Sequence, residues 1–191
     1  MDDTKLIIKA ATFAADKHRN QRRKGAGNMP YINHPLGVAN YITSLGGVTD
    51  ANIICAALLH DTVEDTDTTY DELVHEFGPK IASIVAEVTD DKSLPKVERK
   101  KLQVMNAPHK SYEAKVIKLA DKLHNLTDLL TNPVWGPEIT RGYFIWSFKV
   151  VEGLRGTNTP LESKLDEVFT DFITPGLNLD AELTSYYDIL Q

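Results

Sequence analysis

The stretch Asp50-Ala51-Asn52-Ile53-Ile54-Cys55-Ala56-Ala57-Leu58-Leu59-His60-Asp61 decides the fold. From Ala51 to Leu59 it shows no polar face at the helical period, so a helix here must be wrapped by other elements. Asp50 offers the side-chain oxygen that a helix N-terminus takes, which places the start. The helix ends near His60, delivering an imidazole and a carboxylate side by side. A buried charge is costly unless it is paired or bound to a metal. A His-Asp pair also serves simply to cap an exposed helix end, and alone that plainer reading outweighs the chemical one.

On either side of this stretch the pattern stays helical. Leu6, Ile7, Ala10, Ala14 and His18 recur at helical spacing and predict a helix from Asp3 to Arg19. Gly25-Ala26-Gly27-Asn28-Met29-Pro30 breaks regular structure. A second helix is expected to open at Pro35, a favoured first-turn residue, and to run to Gly46-Gly47. Downstream, helices are expected over Thr69–Phe77, Lys80–Val88, Lys96–Met105, Glu113–Leu130, Pro137–Leu154 and Pro160–Phe172. No alternating strand pattern of any length occurs, so the expected class is all-α, one compact helical domain over residues 1–172. The remainder, 173–191, contains Pro175-Gly176 and a polar mixture and is expected to be an irregular tail without an assigned role.

The 191 residues, 42% hydrophobic and 25% charged, suit one globular domain that needs no disulfides. The single cysteine, Cys55, lies inside the apolar run and reads as a core residue of a reducing compartment. There is no secretory-type apolar N-terminal segment and no run near the roughly 20 apolar residues of a membrane span. The expected address is cytoplasmic, with no membrane partner. A net charge of −6 also argues against a nucleic-acid partner. A small anionic ligand would need a local cluster of positive charge.

Further residues give the His-Asp pair chemical meaning. His34 stands in Tyr31-Ile32-Asn33-His34-Pro35, and Asp121 in Lys118-Leu119-Ala120-Asp121-Lys122-Leu123-His124-Asn125. Together His34, His60, Asp61 and Asp121 supply two nitrogens and two carboxylates with no thiolate. That donor set suits Mn²⁺, Fe²⁺, Zn²⁺ or Mg²⁺. Four protein ligands leave room for water only on an ion with a higher coordination number, which favours Mn²⁺-like octahedral geometry over tetrahedral zinc. One turn on, Glu64 and Asp65 are placed to orient a water and accept its proton.

Taken together, His34-Pro35, the run Ala57-Leu58-Leu59-His60-Asp61-Thr62-Val63-Glu64-Asp65-Thr66 and the run Leu119-Ala120-Asp121-Lys122-Leu123-His124-Asn125-Leu126 resemble the signature of the RelA/SpoT-type alarmone hydrolases of the HD superfamily. Val88-Thr89-Asp90-Asp91-Lys92-Ser93-Leu94-Pro95-Lys96 and Arg99-Lys100-Lys101-Leu102-Gln103 resemble the animal single-domain form. The similarity runs from about residue 5 to about residue 170. It implies an HD-type helical bundle, often with one small β-hairpin, and a single Mn²⁺. It implies hydrolysis of the 3′-pyrophosphate of guanosine tetraphosphate (ppGpp) to GDP, and the animal forms also take the 2′-phosphate from NADPH. By the same resemblance His34, His60, Asp61 and Asp121 match the metal ligands, and Glu64 and Asp65 the pair that positions and activates water.

Arg22-Arg23-Lys24 is the best basic group for nucleotide contact, since arginine binds phosphate in a planar fork and stacks on bases. The resemblance singles out Arg23 and Lys24, leaving Arg22 at the surface. Asn125 shares the Asp121 side of its helix, and the resemblance puts it near the ribose or phosphate and Tyr143 near the nucleotide. His124, Phe144, Trp146 and Phe148 read as packing residues. Lys92, Lys96, Arg99 and Arg141 read individually as solvated, though each could reach a distal phosphate. Two alternatives stand beside this reading: an HD nucleotidase acting on other nucleotides, and a non-catalytic nucleotide sensor. The Thr62-to-Thr66 pattern argues against the first. The presence of all six metal and water-handling residues argues against the second.

Overall fold

The computed structural model describes residues 2–25 and 27–191. In chain order the helices are α1 (Asp3–Lys17), α2 (Asn33–Asn40), α3 (Ala51–Leu59), α4 (Thr62–Asp65), α5 (Tyr70–Phe77) and α6 (Pro79–Val88). They continue as α7 (Lys96–Asn106), α8 (Tyr112–Thr131), α9 (Pro137–Glu152), α10 (Thr159–Phe169) and α11 (Leu179–Ile189). The all-α expectation holds. None of the described helices is long and apolar enough to cross a membrane.

Helix α3 sits where its composition requires. All its residues but Asn52 are buried, wrapped by α1, α2, α6 and α8. The Asp50 side chain accepts the Asn52 N–H at 2.8 Å, the cap expected there. Thr69 and Ser111 cap α5 and α8 in the same way. Gly78 lets the chain turn between α5 and α6 at φ +84°, ψ 164°, a conformation nearly confined to glycine. Pro79 then starts α6, where its missing N–H costs nothing. Helix α8 is the second axis of the bundle and meets α2, α3, α6, α9 and α10.

Three features depart from expectation. Helix α2 begins at Asn33, so Pro35 falls within its first turn rather than opening it, and Tyr41–Leu45 widens into a π-helical turn. The small hairpin implied by the family is reduced, among the described residues, to one antiparallel bridge between Arg22 and Pro30. It is held by Arg23 N–H to Met29 O (2.8 Å) and Tyr31 N–H to Gln21 O (3.1 Å). The segment after 172 is not irregular throughout, because it carries α11. Asn178 caps that helix, and Leu183, Tyr186, Tyr187 and Leu190 form an apolar stripe at i, i+3, i+4, i+7 that packs onto α9.

Candidate active site

Three separate elements converge on one point. The first turn of α2 brings His34, the end of α3 brings His60 and Asp61, and the middle of α8 brings Asp121. His34, His60 and Asp121 are buried, and their donor atoms lie within 4.8 Å of one another. His34 Nε2 stands 3.3 Å from Asp121 Oδ1 and 3.6 Å from Asp61 Oδ2. His60 Nε2 stands 3.2 Å from Asp61 Oδ2 and 3.8 Å from Asp121 Oδ1.

Each imidazole is set from behind. His60 Nδ1–H donates to Ala57 O at 2.7 Å, which leaves the Nε2 lone pair pointing into the cluster. That Nε2 is buried and has no well-aligned hydrogen bond of its own. His34 Nδ1 lies 3.0 Å from His124 Nδ1, so its other nitrogen likewise faces the carboxylates. Two inward lone pairs and two carboxylates, each imidazole fixed through its far nitrogen, fit a divalent cation. Burial alone would lower the His60 pKa, but Asp61 and Asp121 raise it to about 9. Burial alone would raise Asp61, but the His60 and His34 rings hold it below the usual carboxylate range.

Around the cluster the carboxylates are gripped. Tyr31 Oη–H donates to Asp61 Oδ2 at 2.6 Å. Asn125 Nδ2–H donates to Asp121 Oδ1 at 2.7 Å, and Arg23 donates to Asn125 Oδ1 at 2.9 Å. Lys122 and Lys118 approach Asp121 Oδ2 at 3.3 and 3.7 Å. Glu64 Oε2 accepts the Asp90 N–H at 3.0 Å, and Asp65 Oδ1 pairs with Lys92 at 2.6 Å. Burial raises the Glu64 pKa despite that backbone bond, with Asp90, Asp61 and Asp65 adding to the rise.

A cleft of about 470 Å³ opens over the cluster and is lined by His34, Asp61, Glu64, Asp65 and Asp121. Arg23, Lys24, Lys96, Arg99, Lys100, Lys118 and Lys122 add cations to the same lining, the local positive cluster that the acidic chain requires. It adjoins a second lobe of about 370 Å³, lined by Arg23, Lys24, Tyr31, Leu129, Val134, Trp135 and Tyr143. Arg23, Lys24, Asn125 and Tyr143 thus all line the cleft. Arg22 is exposed at its rim.

Several placements differ from what the sequence suggests. Arg141 faces away and pairs with Glu182 of α11 at 3.0 Å. His124 packs as expected, yet its contact is with His34. The sequence assigns Lys118 and Lys122 no role, although their i, i+4 spacing around Asp121 puts them on a shared face. Lys100 lies in a run that carries the family resemblance, but its place beside the cleft, like the role of Tyr31 behind Asp61, follows from no local sequence pattern.

Comparison with known proteins agrees with this geometry. The family profile described as HD domain matches residues 10–138. The chain is 56% identical to guanosine-3′,5′-bis(diphosphate) 3′-pyrophosphohydrolase MESH1 of Xenopus tropicalis, covering 88% of this chain and 96% of that protein. It is 55% identical to the Homo sapiens MESH1, covering 85% and 92%. A solved metazoan orthologue of SpoT, described as hydrolysing ppGpp, superposes with a TM-score of 0.85 at 49% identity, covering 87% of this chain and 94% of that one. On profile, sequence and fold alike, the chain belongs to the HD-domain family, in its RelA/SpoT-type branch with the MESH1 proteins.

Proposed function

We propose that this chain is a Mn²⁺-dependent hydrolase that removes the 3′-pyrophosphate of ppGpp, yielding GDP and pyrophosphate. The observation that carries it is the meeting of His34, His60, Asp61 and Asp121 beside Glu64 and Asp65, at the floor of a cation-lined cleft. The naming of the MESH1 relatives for this reaction supports it. In the reaction a water oxygen bonds to the phosphorus attached at O3′, the P–O3′ bond breaks, and the ribose oxygen leaves and takes up a proton. A divalent ion held by the four ligands supplies Lewis acidity and a lowered pKa for bound water.

This chain's own residues do the rest. Glu64, its pKa raised by burial and its orientation fixed by the Asp90 N–H, accepts the water proton. Asp65, steered by Lys92, orients the same water. Tyr31 and Asn125 hold the Asp61 and Asp121 carboxylates in register. Lys96, Arg99, Lys118 and Lys122 offset phosphate charge. Arg23, Lys24 and Tyr143 hold the nucleoside in the aromatic lobe.

A second substrate, NADPH losing its 2′-phosphate, fits the continuity of the two lobes, which share Arg23, Lys24, Tyr31 and Asn125. The cytoplasm, where such free nucleotides lie, is the compartment this reading assigns. The test is turnover with Mn²⁺, offering ppGpp and NADPH separately, with Asp121→Ala as control. Pyrophosphate release from ppGpp that vanishes in the control supports the reading, and the two kcat/KM values rank the substrates. Wild-type protein that binds the metal yet cleaves neither would sink it in favour of a nucleotidase or a sensor.

A further inference from the structure

Lys100 stands on α7 and lines the cleft with only 9% of its surface exposed. Its Nζ lies 3.3 Å from the centre of the Trp146 ring, 4.8 Å from that of Tyr143 and 5.3 Å from that of Tyr186. Lys118 and Lys122 have Asp121 beside them. Lys100 has no carboxylate partner among the described residues. A buried cation without a counter-ion is costly, and ring faces compensate only part of that cost. Burial, and then the charges of Lys122 and Lys96, press its pKa well below the ordinary lysine value. An anion in the cleft would relieve both.

The third ring comes from an unexpected place. Trp146 and Tyr143 belong to α9, but Tyr186 belongs to α11, beyond the residues that carry the family resemblance. Tyr186 is 2% exposed and lies flush on α9 at Gly142, where a Cβ would stand 2.2 Å from Tyr186 Cδ2. Only glycine admits the ring at that depth. Arg141–Glu182 and Lys149–Asp180 ion pairs tie the same two helices at 3.0 and 2.7 Å.

We propose that Lys100 binds a phosphate of the substrate, and that Tyr186, carried by α11, is the positioning residue that completes the aromatic box holding its ammonium in the cleft. This rests on the reading that the cleft takes a polyphosphorylated nucleotide, and it gives the segment 173–191 a role.

The experiment has two arms, run on Lys100→Met, Tyr186→Phe, Tyr186→Leu and Tyr186→Met, with a thermal melt of each. One arm is calorimetric titration of inorganic pyrophosphate into the full-length protein without metal. The other is steady-state ppGpp kinetics with Mn²⁺. Lys100→Met, which keeps the packing, should weaken pyrophosphate about tenfold and raise KM similarly, the scale of one hydrogen bond to a charged group, with kcat within about twofold. Tyr186→Leu should move both in the same direction by about two- to fivefold, the scale of one cation–π contact, while Tyr186→Phe stays near wild type. Tyr186→Met keeps volume without a π face and should follow Tyr186→Leu, so it serves if the leucine variant melts early. Unchanged pyrophosphate affinity and KM in Lys100→Met would overturn the phosphate site. A phenylalanine variant as impaired as the leucine one, or a leucine variant like wild type, would overturn the positioning role. If wild-type protein leaves ppGpp intact yet loses pyrophosphate on Lys100→Met, the anion site stands and the functional reading fails. Turnover with unaltered affinity says the reverse.

Discussion

Glu64 shows how a single side chain reconciles opposed demands. Its Oε1 has Lys92 and Arg99 at 3.7 and 3.9 Å, and its Oε2 takes a backbone N–H, so the ionised form is supported on both oxygens. Burial nonetheless outweighs these partners and raises the pKa above 4.5. A raised folded-state pKa means that stability present below the unfolded value is lost as pH rises through the folded one. Without metal, Glu64→Gln should therefore melt with wild type near pH 4 and above wild type at pH 7, while turnover falls about 100-fold or more. Equal melting temperatures at both pH values would show that burial does not govern this carboxylate. Glu64 and Asp65 could be picked out in sequence because they follow His60-Asp61 by one turn. Tyr31 and Lys100 could not, since a hydroxyl on Asp61 and a lysine among three rings depend on contacts between residues far apart in the chain.

At the scale of elements, α2 and α8 touch so closely that one residue decides their approach. A Cβ on Gly37 would stand 2.2 Å from His124 Nε2, and His124 cannot swing aside without giving up its 3.0 Å contact with His34. Gly37→Ala gains about 1 kcal/mol of helix propensity but meets an overpacking cost of about 1–3 kcal/mol. The clash should win, by about 1 kcal/mol in denaturant unfolding, with weaker Mn²⁺ binding as His34 loosens. A variant as stable as wild type with the same metal affinity would mean the ring relocates freely. Caps and apolar periodicity made α3, α5 and α8 readable from sequence. Helix α11 was obscured by Pro175-Gly176 just before it, although its i, i+3, i+4, i+7 stripe is as regular as that of α1. The π-helical turn after α2 has no local code, because it answers to what packs against it.

For the whole molecule, the cluster joins α2, α3 and α8, so a cation there binds the folded chain and not the unfolded one. Mn²⁺ at about 100 times its Kd should add about 2.7 kcal/mol, or roughly 5–10 °C in Tm. A chelator should reverse the gain, and Asp121→Ala should abolish it; a wild-type melt indifferent to Mn²⁺ would exclude a cation at this cluster. The chain's net charge of −6 hides seven lysines and arginines lining one cleft, a segregation that composition cannot report. The sequence alone determined the helical class and the buried course of Ala51–Leu59, and it singled out His34, His60, Asp61 and Asp121 with Glu64 and Asp65 as the candidate cluster. These rest on periodicity, capping and residue chemistry, all of which act over a few residues. Only the tertiary structure decided which lysines face the cleft, that Arg141 turns away to Glu182, and that α11 returns to set Tyr186 beside Lys100. Those outcomes depend on how distant helices rotate and approach when their apolar faces pack together, and no short stretch of sequence encodes that.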